Sequence, residues 1–414
     1  MKTLGLVFAS LLFILSNNQL IGQPVWHTQD CPIEENLVSV SFYDTLNGWV
    51  VSENGVVLRT HDGGKNWEIQ NELDNLYATK VFFINENIGW ISGYSEERGH
   101  GRLLFTDDEG ENWTSLVDST KILFNDVFFI DENTGWAAGY DIEEDTINYI
   151  MLTEDGGNTW KRQMENMFLN GAMLNISFRD SLDGNICGTG GFFVGTSDKG
   201  EHWWLSIFHW EIDLKDLCNA GDKYGCMVGS GGKVYFTKDK WSNSTDYDLP
   251  FDDTLRAISG LENLKFWAVG DNGSIVYMAY SPIMYMLFTT DQSVDTLGRL
   301  NDVVAIDDNH VWAVGEMGTI LHFGIKSAAE PISLKDLSES AYRVFPNPTE
   351  NLLTIESDYF GIGDAVLYNM EGKPVYTVKL SFPGFIDISR LSSGMYILEL
   401  RNEHAIVYDL IMKK

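Results

Sequence analysis

The sequence predicts an all-β protein: a seven-bladed β-propeller followed by a small β-sandwich domain. A pair of residues, Gly48-Trp49 in the first repeat, recurs at equivalent positions along most of the chain and is here called the column. Its second position falls at residues 49, 90, 136, 185, 226, 267 and 312, where Asn185 and Cys226 replace the aromatic residue. The spacings of 41 to 49 residues match the length of a four-stranded propeller blade, about 40–45 residues. Seven repeats therefore predict seven blades.

A second pattern, T-x-D-x-G-x-x-W, predicts the turn between the third and fourth strands of the first four blades. The Asp side chain can accept hydrogen bonds from backbone N–H groups of its own turn, the Gly supplies a positive φ, and the Trp packs between sheets. Equivalent positions on separate blades lie far apart and cannot form one site, so we expect a structural role. The residues concerned are Asp62, Trp67, Asp108, Trp113, Asp155, Trp160, Asp198 and Trp203.

The last three blades depart from this pattern. Blade five keeps Thr237-Lys238-Asp239 but has Trp241 displaced, and blades six and seven have no Asp turn. Blade seven also lacks an outer strand before the repeat pattern ends near Lys326. Val25–Gln29 resembles the fourth strand of blade one, yet it precedes every repeat. We therefore predict that Val25–Gln29 completes blade seven and closes the ring, which removes exposed sheet edges.

Composition favours an exported protein without a nucleic-acid partner. The formal net charge is -32 over 414 residues. Such a charge repels nucleic-acid phosphates and anionic membranes, and we interpret it as keeping an extracellular protein soluble. Lys2 precedes an apolar run over Leu4–Leu15, which predicts a secretory signal peptide over residues 1–22. No other segment is long and apolar enough to cross a bilayer. We expect a monomer.

The four cysteines leave the disulfide state open. Cys218 and Cys226 flank a predicted turn at Gly221-Asp222-Lys223, which would place them opposite each other on a hairpin. Export allows a disulfide between them. Two buried free thiols are the favoured alternative, because directly opposed cross-strand pairs are often strained. No cysteine has the spacing to histidine that a metal site requires.

The longer connections of the ring are predicted to share one face, opposite the tight hairpin turns. Loops held by a rigid scaffold commonly carry binding residues. An acidic cluster with backbone carbonyls would suit Ca²⁺, but a solvated loop is the favoured interpretation, so we expect no cofactor and no metal. The candidate binding residues on this long-loop face are Glu96, Glu97, His100, Arg102, Glu143, Glu144, Asp145, His209 and Trp210.

A glycan-active hydrolase, built as a sialidase-like propeller and using the long-loop face, is the alternative to a binding protein. Such an enzyme needs two carboxylates at a set separation. With 60 Asp and Glu in the chain, chance pairs are expected and none can be nominated. No phosphate-binding loop, His-rich metal motif or nucleophile elbow is present in the sequence. We predict no catalytic residues and a binding, adhesion or scaffolding role toward a protein or glycan.

The Asp turns resemble the Asp-box, or BNR, repeat of sialidases and other propellers. A sialidase would also have an arginine triad, a nucleophilic Tyr and paired acids, whereas the 10 arginines here are scattered. Over residues 38–326, the series W-x-x-G, apolar run and T-x-D-G-G-x-x-W also resembles the YCF48 family of photosystem II assembly factors. That resemblance implies an assembly or interaction scaffold. The basic patch expected of photosynthetic members is not evident, so we do not expect this chain to act in photosystem assembly.

From Ser327 the repeat stops. Residues 342–414 read as about seven short strands of a small sandwich. Their motifs F-P-N-P-T, Y-N-M-E-G-K and S-S-G-M-Y-I, with a terminal Lys pair, resemble the type A C-terminal sorting domain of the type IX (Por) secretion system of Bacteroidota. The resemblance implies export by that machinery, removal of the domain by its sortase, and release or attachment at the cell surface. The expected order is signal peptide 1–22, propeller 23–326, linker 327–341 and sorting domain 342–414.

Overall fold

The computed structural model describes most of the chain after the first 23 residues. The described residues are 24–95, 99–141, 148–163, 171–208, 212–282, 286–293, 298–324, 342–345, 348–349, 351–357, 361–369, 373–382, 384–401 and 406–414. The predicted signal peptide and the predicted linker lie outside these ranges. The chain folds as two compact units, Met1–Lys326 and Ser327–Lys414.

The first unit contains seven four-stranded antiparallel sheets, so the predicted seven-bladed propeller is confirmed. The strands of blades one to four are β2 (Leu37–Phe42), β3 (Gly48–Ser52), β4 (Val56–Thr60) and β5 (Glu68–Glu72); β6 (Tyr77–Phe83), β7 (Gly89–Ser95), β8 (His100–Thr106) and β9 (Thr114–Thr120); β10 (Ile122–Phe129), β11 (Gly135–Asp141), β12 (Asn148–Thr153) and β13 (Lys161–Arg162); and β14 (Met173–Phe178), β15 (Gly184–Gly188), β16 (Phe192–Thr196) and β17 (Trp204–Ile207).

Blades five to seven follow the same plan. Their strands are β18 (Leu214–Ala220), β19 (Tyr224–Gly229), β20 (Lys233–Thr237) and β21 (Ser244–Asp248); β22 (Leu255–Gly260), β23 (Lys265–Gly270), β24 (Ile275–Ser281) and β25 (Met286–Asp291); and β26 (Leu300–Asp307), β27 (His310–Gly315) and β28 (Ile320–Gly324), with β1 (Val25–Gln29) as the fourth strand of blade seven. Single 3-10 turns follow the second strand of blades four to seven, at Thr189–Gly191, Ser230–Gly232, Asp271–Gly273 and Glu316–Gly318.

The glycine that ends the W-x-x-G segment lets the first two strands of a blade approach closely. A Cβ on Gly93 would lie 2.3 Å from the carbonyl oxygen of Tyr77, and one on Gly139 would lie 2.1 Å from that of Leu123. Real Cβ atoms do not approach backbone that closely, so any larger residue would push the strands apart. Close approach of the two strands is therefore the reason for a glycine here.

Aromatic stacking joins neighbouring blades. Trp49 of blade one stacks on Phe83 of blade two, with ring centroids 3.5 Å apart and planes 5° apart, and the Asp-turn Trp113 meets the same Phe83 edge-on. The same stack recurs between Trp90 and Phe129. Further copies are Trp136–Phe178 and Trp312–Phe42. Burying such pairs contributes both apolar area and a specific ring geometry, which fixes how one blade sits on the next.

The N-terminal strand closes the ring, as predicted. β1 pairs antiparallel with β28 over five residues, from Val25 opposite Gly324 to Gln29 opposite Ile320. The amide of Gln29 donates to the carbonyl of Gly63 at 2.9 Å and accepts from the indole N–H of Trp67 at 3.1 Å. Gln29 therefore ties the last blade to the Asp turn of the first.

The Asp turns are hydrogen-bonded as compact units. The Asp62 carboxylate accepts the Thr60 hydroxyl at 3.0 Å, the Asn66 backbone N–H at 3.0 Å and the Asn66 amide at 2.6 Å. Asp108, Asp155 and Asp198 accept equivalent bonds. Hydrogen bonds from the backbone and ring of His202 lower the pKa of Asp198 to about 2. These carboxylates are acceptors held within their own turns.

Blade five carries a fifth such turn, which the displaced tryptophan hides in the sequence. Asp239 accepts the Thr237 hydroxyl at 3.0 Å and the Asn243 backbone N–H at 2.8 Å. The backbone N–H of Trp241 donates to the Thr237 hydroxyl, as that of Gly64 does to Thr60 in blade one. Trp241 thus occupies the glycine position of the turn, with a φ of 64°. A non-glycine residue seldom adopts this conformation.

Cys218 and Cys226 face each other directly, on β18 and β19. Both thiols are free in the structure. Burial raises the pKa of each thiol, so neither is a reactive thiolate near neutral pH.

The second unit is a two-sheet sandwich, which agrees with the strand pattern predicted for residues 342–414. One sheet contains β29 (Tyr342–Phe345), β30 (Leu352–Ser357) and β33 (Gly384–Asp387); the other contains β32 (Pro374–Phe382), β31 (Gly361–Asn369), β34 (Gly394–Arg401) and β35 (Ile406–Lys413). Leu353 and Ile386 of the first sheet share a buried core with Leu367 and Leu398 of the second. Alternating apolar residues on the two inner faces build this core.

Candidate functional site: a polar ring in the central channel

Most of the residues predicted for the long-loop face lie outside the described ranges: Glu96, Glu97, Glu143, Glu144, Asp145, His209 and Trp210. The two that are described have local roles. His100 opens β8 opposite Ser95. Arg102 donates to the carbonyls of Asp74 at 2.9 Å and Asn75 at 3.1 Å, in the connection between blades one and two. Arg102, on β8 of blade two, thus holds the connection that leads from blade one.

The charged residues that the structure does bring together lie in the central channel. Every first strand carries a β-bulge at the same place. A bulge changes the direction in which the neighbouring side chain points. The residue after each bulge therefore occupies an equivalent position around the channel, here called the polar ring. Its members are Ser39, Lys80, Asp126, Asn175, Asp216, Ala257 and Asp302.

Three carboxylates of the polar ring cap the first strand of the following blade. Asp126 accepts the backbone N–H of Ile176 at 2.9 Å, and Asp216 accepts that of Ile258 at 2.7 Å. Asp302 accepts that of Val40 at 3.0 Å. Each also accepts the N–H of the residue that follows it, at 2.8 to 2.9 Å. Both oxygens of all three carboxylates are therefore engaged by backbone donors, which links blades three to four, five to six and seven to one.

Lys80 is the cation of the polar ring, and its charge acts on all three carboxylates. Lys80 Nζ lies 3.0 Å from Asp302 Oδ2, which also accepts the Ser39 hydroxyl at 2.7 Å. Burial, partly offset by Lys80, raises the pKa of Asp126 to about 6 and that of Asp216 to about 8. For Asp216 the loss of hydration on burial outweighs the Lys80 charge and the backbone N–H donors, both of which favour the ionised carboxylate.

The channel beside the polar ring encloses a cavity of about 210 Å³. Ligand pockets are typically about 300–1,000 Å³. A carboxyl with a raised pKa in a cavity is a candidate acid catalyst. Here the carboxyl oxygens already hold backbone N–H groups and the space is small, so the geometry favours a structural role for the polar ring.

One group in the described part of the chain brings three metal-ligating atoms within 4.8 Å of one another: Asp198, Glu201 and His202. It lies in the Asp turn of blade four, and Glu201 and His202 are exposed. Asp198 already accepts hydrogen bonds from Thr196 and His202. The hydrogen bonds that Asp198 accepts therefore belong to the Asp turn of blade four.

Sequence reasoning missed the polar ring, although the sequence carries a signal for it. Each ring residue precedes its column residue by ten positions, as Asp126 precedes Trp136 and Asp302 precedes Trp312. A charged residue at a fixed place in an otherwise apolar first strand indicates a buried polar contact shared by the repeats.

Residues 19–324 match the family described as photosynthesis system II assembly factor YCF48. The chain belongs to the YCF48 family. Two relatives are the photosystem II assembly lipoproteins Ycf48 of Picosynechococcus sp. and Prochlorococcus marinus. Each is 25% identical to this chain; the matches cover 75% of it and 90% and 94% of the relatives.

Solved YCF48 structures share the fold. YCF48 bound to a D1 peptide has a TM-score of 0.59 at 18% identity, covering 74% of this chain and all of the solved one. YCF48 from Cyanidioschyzon merolae has a TM-score of 0.58 at 19% identity, covering 72% of this chain and 99% of the solved one. Identity at this level shows the common fold of YCF48 propellers and no more.

A separate match covers the second unit. Residues 343–414 match the secretion system C-terminal sorting domain. The resemblance predicted from the F-P-N-P-T, Y-N-M-E-G-K and S-S-G-M-Y-I motifs is therefore confirmed. A YCF48-type propeller is here joined to a sorting domain, which indicates an exported protein. In the described residues, no helix is long and apolar enough to span a membrane.

Proposed function

We propose that this protein is an exported binding propeller, which holds a protein or glycan ligand and performs no chemistry on it. The observation that supports this most is the engagement of the buried carboxylates in the channel. Asp126, Asp216 and Asp302 each cap a neighbouring blade, so their lone pairs stabilise the ring. A rigid ring of this kind is a scaffold on which surface positions vary without loss of the fold.

A protein ligand is supported by the family. One solved member is bound to a D1 peptide. We infer from this that the family scaffold can take a peptide, and we transfer to this chain only that capability. The net charge of -32 opposes nucleic acid and anionic membranes as partners.

A glycan-active hydrolase is the second candidate. The observation that favours it is the raised pKa of Asp216 and Asp126 in one cavity. Paired carboxyls with separated pKa values are the acid–base arrangement of glycosidases. The cavity volume and the occupied carboxyl oxygens weigh against it.

Binding and turnover are separated by applying the purified full-length chain to immobilised neutral glycans and to a peptide array, followed by product analysis of every ligand retained. We expect retention with the ligand chemically unchanged. Release of a cleaved product that disappears in Asp216→Asn would replace the binding proposal with the hydrolase. Retention on neither array would contradict the binding proposal.

We further propose that residues 1–22 direct export across the inner membrane. The sorting domain then engages the type IX secretion machinery and its sortase. The product is secreted or attached at the cell surface. The support is the family match over residues 343–414.

Deleting residues 342–414 is expected to leave the protein in the periplasm, because the propeller alone would carry no signal for the outer-membrane step. Fractionation with an antibody against the propeller measures this. A deletion of residues 1–22 is the matched control and should leave the protein in the cytoplasm. Normal surface delivery of the chain lacking 342–414 would contradict the sorting role.

A further inference from the structure

The contact between blades four and five lacks the aromatic stack that joins other blades. Asn185 stands at the column position that Trp136 holds in blade three. Asn219 stands opposite Gly225, the place that Phe178 holds opposite Gly184. Two small amides thus replace a stacked Trp–Phe pair. Trp241 of blade five fills part of this space, since its indole N–H donates to Asn219 Oδ1 at 3.2 Å and its ring lies over Gly225. A groove lined by residues of both blades remains beside it.

This space is a groove of about 570 Å³, here called the blade 4–5 groove. Its lining includes Asn185, Trp204 and Ser206 from blade four, and Lys240 and Ser242 from the Asp turn of blade five. The volume falls in the range of about 300–1,000 Å³ that is typical of small-molecule sites.

The floor of the groove carries an amide without a partner. Asn185 is only 7% exposed. No described residue hydrogen-bonds to its side chain, and it lines the groove. The amide atoms face the groove and are reached by solvent there, so a ligand can replace that water. A ligand that both donates and accepts hydrogen bonds would satisfy the amide.

One wall of the groove is a flat aromatic surface. A Cβ on Gly195 would lie 2.2 Å from Trp204 Cζ2 and 2.5 Å from Trp204 Cε2, so the six-membered ring lies over Gly195. Trp204 is nevertheless 41% exposed. The sheet supports the indole ring from beneath, and the rest of the ring is open to a ligand.

The matching row in blade one shows what the replacements change. Trp49, Arg59 and Glu68 are cross-strand neighbours there, as Asn185, Gly195 and Trp204 are in blade four. In blade one, the Arg59 guanidinium lies 3.6 Å from the Trp49 ring centroid and covers it. The glycine of blade four removes that cover.

The charged groups around the groove are paired within the protein. Lys240 forms an ion pair with Asp183. Arg179 donates to the carbonyls of Gly221 and Tyr224 and to the Asn219 side chain, at 2.6 to 2.9 Å. The groove therefore offers a flat apolar face, a neutral amide and hydroxyls, while the donors of Lys240 and Arg179 are already engaged within the protein.

We propose that the blade 4–5 groove binds a neutral carbohydrate. A pyranose ring has one apolar face of C–H groups, which fits against Trp204, and a rim of hydroxyls that both donate and accept, which fits the Asn185 amide. An extended peptide would instead pair along the four-residue edge of β17 and would not need an amide at the floor of the groove. This inference rests on the proposed binding function and names its ligand class and site.

The test compares four full-length chains on immobilised neutral hexose and N-acetylhexosamine oligosaccharides: the wild type, Trp204→Ala, Asn185→Ala, and Glu68→Ala. The last changes the position in blade one that matches Trp204 and is the control. We expect at least about tenfold weaker binding for Trp204→Ala and Asn185→Ala, equal to a loss of about 1.4 kcal/mol, and wild-type binding for the control. Tryptophan fluorescence unfolding checks that all four are folded.

The outcomes are distinguishable from those of the broader proposal. Glycan binding that survives in Trp204→Ala, binding of peptides alone, or no binding to the glycan panel would each overturn the carbohydrate groove. Peptide binding or groove-independent glycan binding would leave the proposed binding function standing. Turnover of a glycan that Trp204→Ala no longer binds would keep the groove and overturn the non-catalytic function.

Discussion

Replacing Asp302 by alanine is expected to lower the free energy of unfolding of the propeller by about 3 kcal/mol or more. The substitution would leave the Lys80 ammonium without its carboxylate, and the N–H of Val40 and the Ser39 hydroxyl without their acceptor. Lys80 would keep only the more distant Asp126 and Asp216, and the two donors to Asp302 would lose their acceptor in the interior, which costs more than the pair itself contributes. The ring would lose its link between blades seven and one at the channel wall.

Chemical unfolding followed by tryptophan fluorescence measures this loss. All 13 tryptophans lie at or before Trp312, so the signal reports the propeller and not the sandwich. Asp308→Ala is the matched control, since Asp308 pairs with Lys265 at the surface and both side chains are about a third exposed or more. An exposed pair contributes about 0–1 kcal/mol. A loss for Asp302→Ala as small as for the control would show that the channel contact is not stabilising.

Replacing Val25–Gln29 by a glycine–serine segment of equal length is expected to lower the stability by about 4 kcal/mol. The estimate combines two buried hydrogen bonds of Gln29 at about 1 kcal/mol each with about 2 kcal/mol for the packing of Trp26 on Phe323. At about 2 °C per kcal/mol for a large domain, the melting temperature should fall by roughly 8 °C. The open edge of β28 should also promote association.

Thermal unfolding and light scattering of the full chain measure both effects. The control is the same replacement over Ser244–Asp248, β21, which is also a five-residue outer strand, but of blade five. It joins no distant part of the chain, so its loss should be smaller. Equal losses for the two variants would mean that ring closure adds nothing to an ordinary outer strand.

The sequence predicted the fold because the repeat is built from residues with narrow geometric tolerance. Gly93 and Gly139 admit no side chain, and Trp49 and Trp90 each stack on a Phe of the next blade. Such requirements recur at fixed intervals and are therefore visible in one sequence. The closing strand was visible for the same reason, since Val25–Gln29 repeats the outer strand of blade one.

The polar ring and the blade 4–5 groove were not predicted, because each depends on contacts between blades. Asp302 is one of two acids in β26, and its role depends on Lys80, which is distant in sequence. In the sequence, Asn185 is only a departure from the tryptophan column; its importance depends on Gly195 and Trp204 in the adjacent strands. Cross-strand partners of this kind become evident only once the register is known.

Ring closure by β1 also decides where a label or tether can be attached. Val25 lies opposite Gly324, and residues directly opposite each other in an antiparallel pair have Cα atoms only about 4.5–5.5 Å apart. The first and last strand residues of the propeller therefore sit side by side at blade seven. A fluorophore or a surface linkage at either end of the propeller would therefore be attached at blade seven.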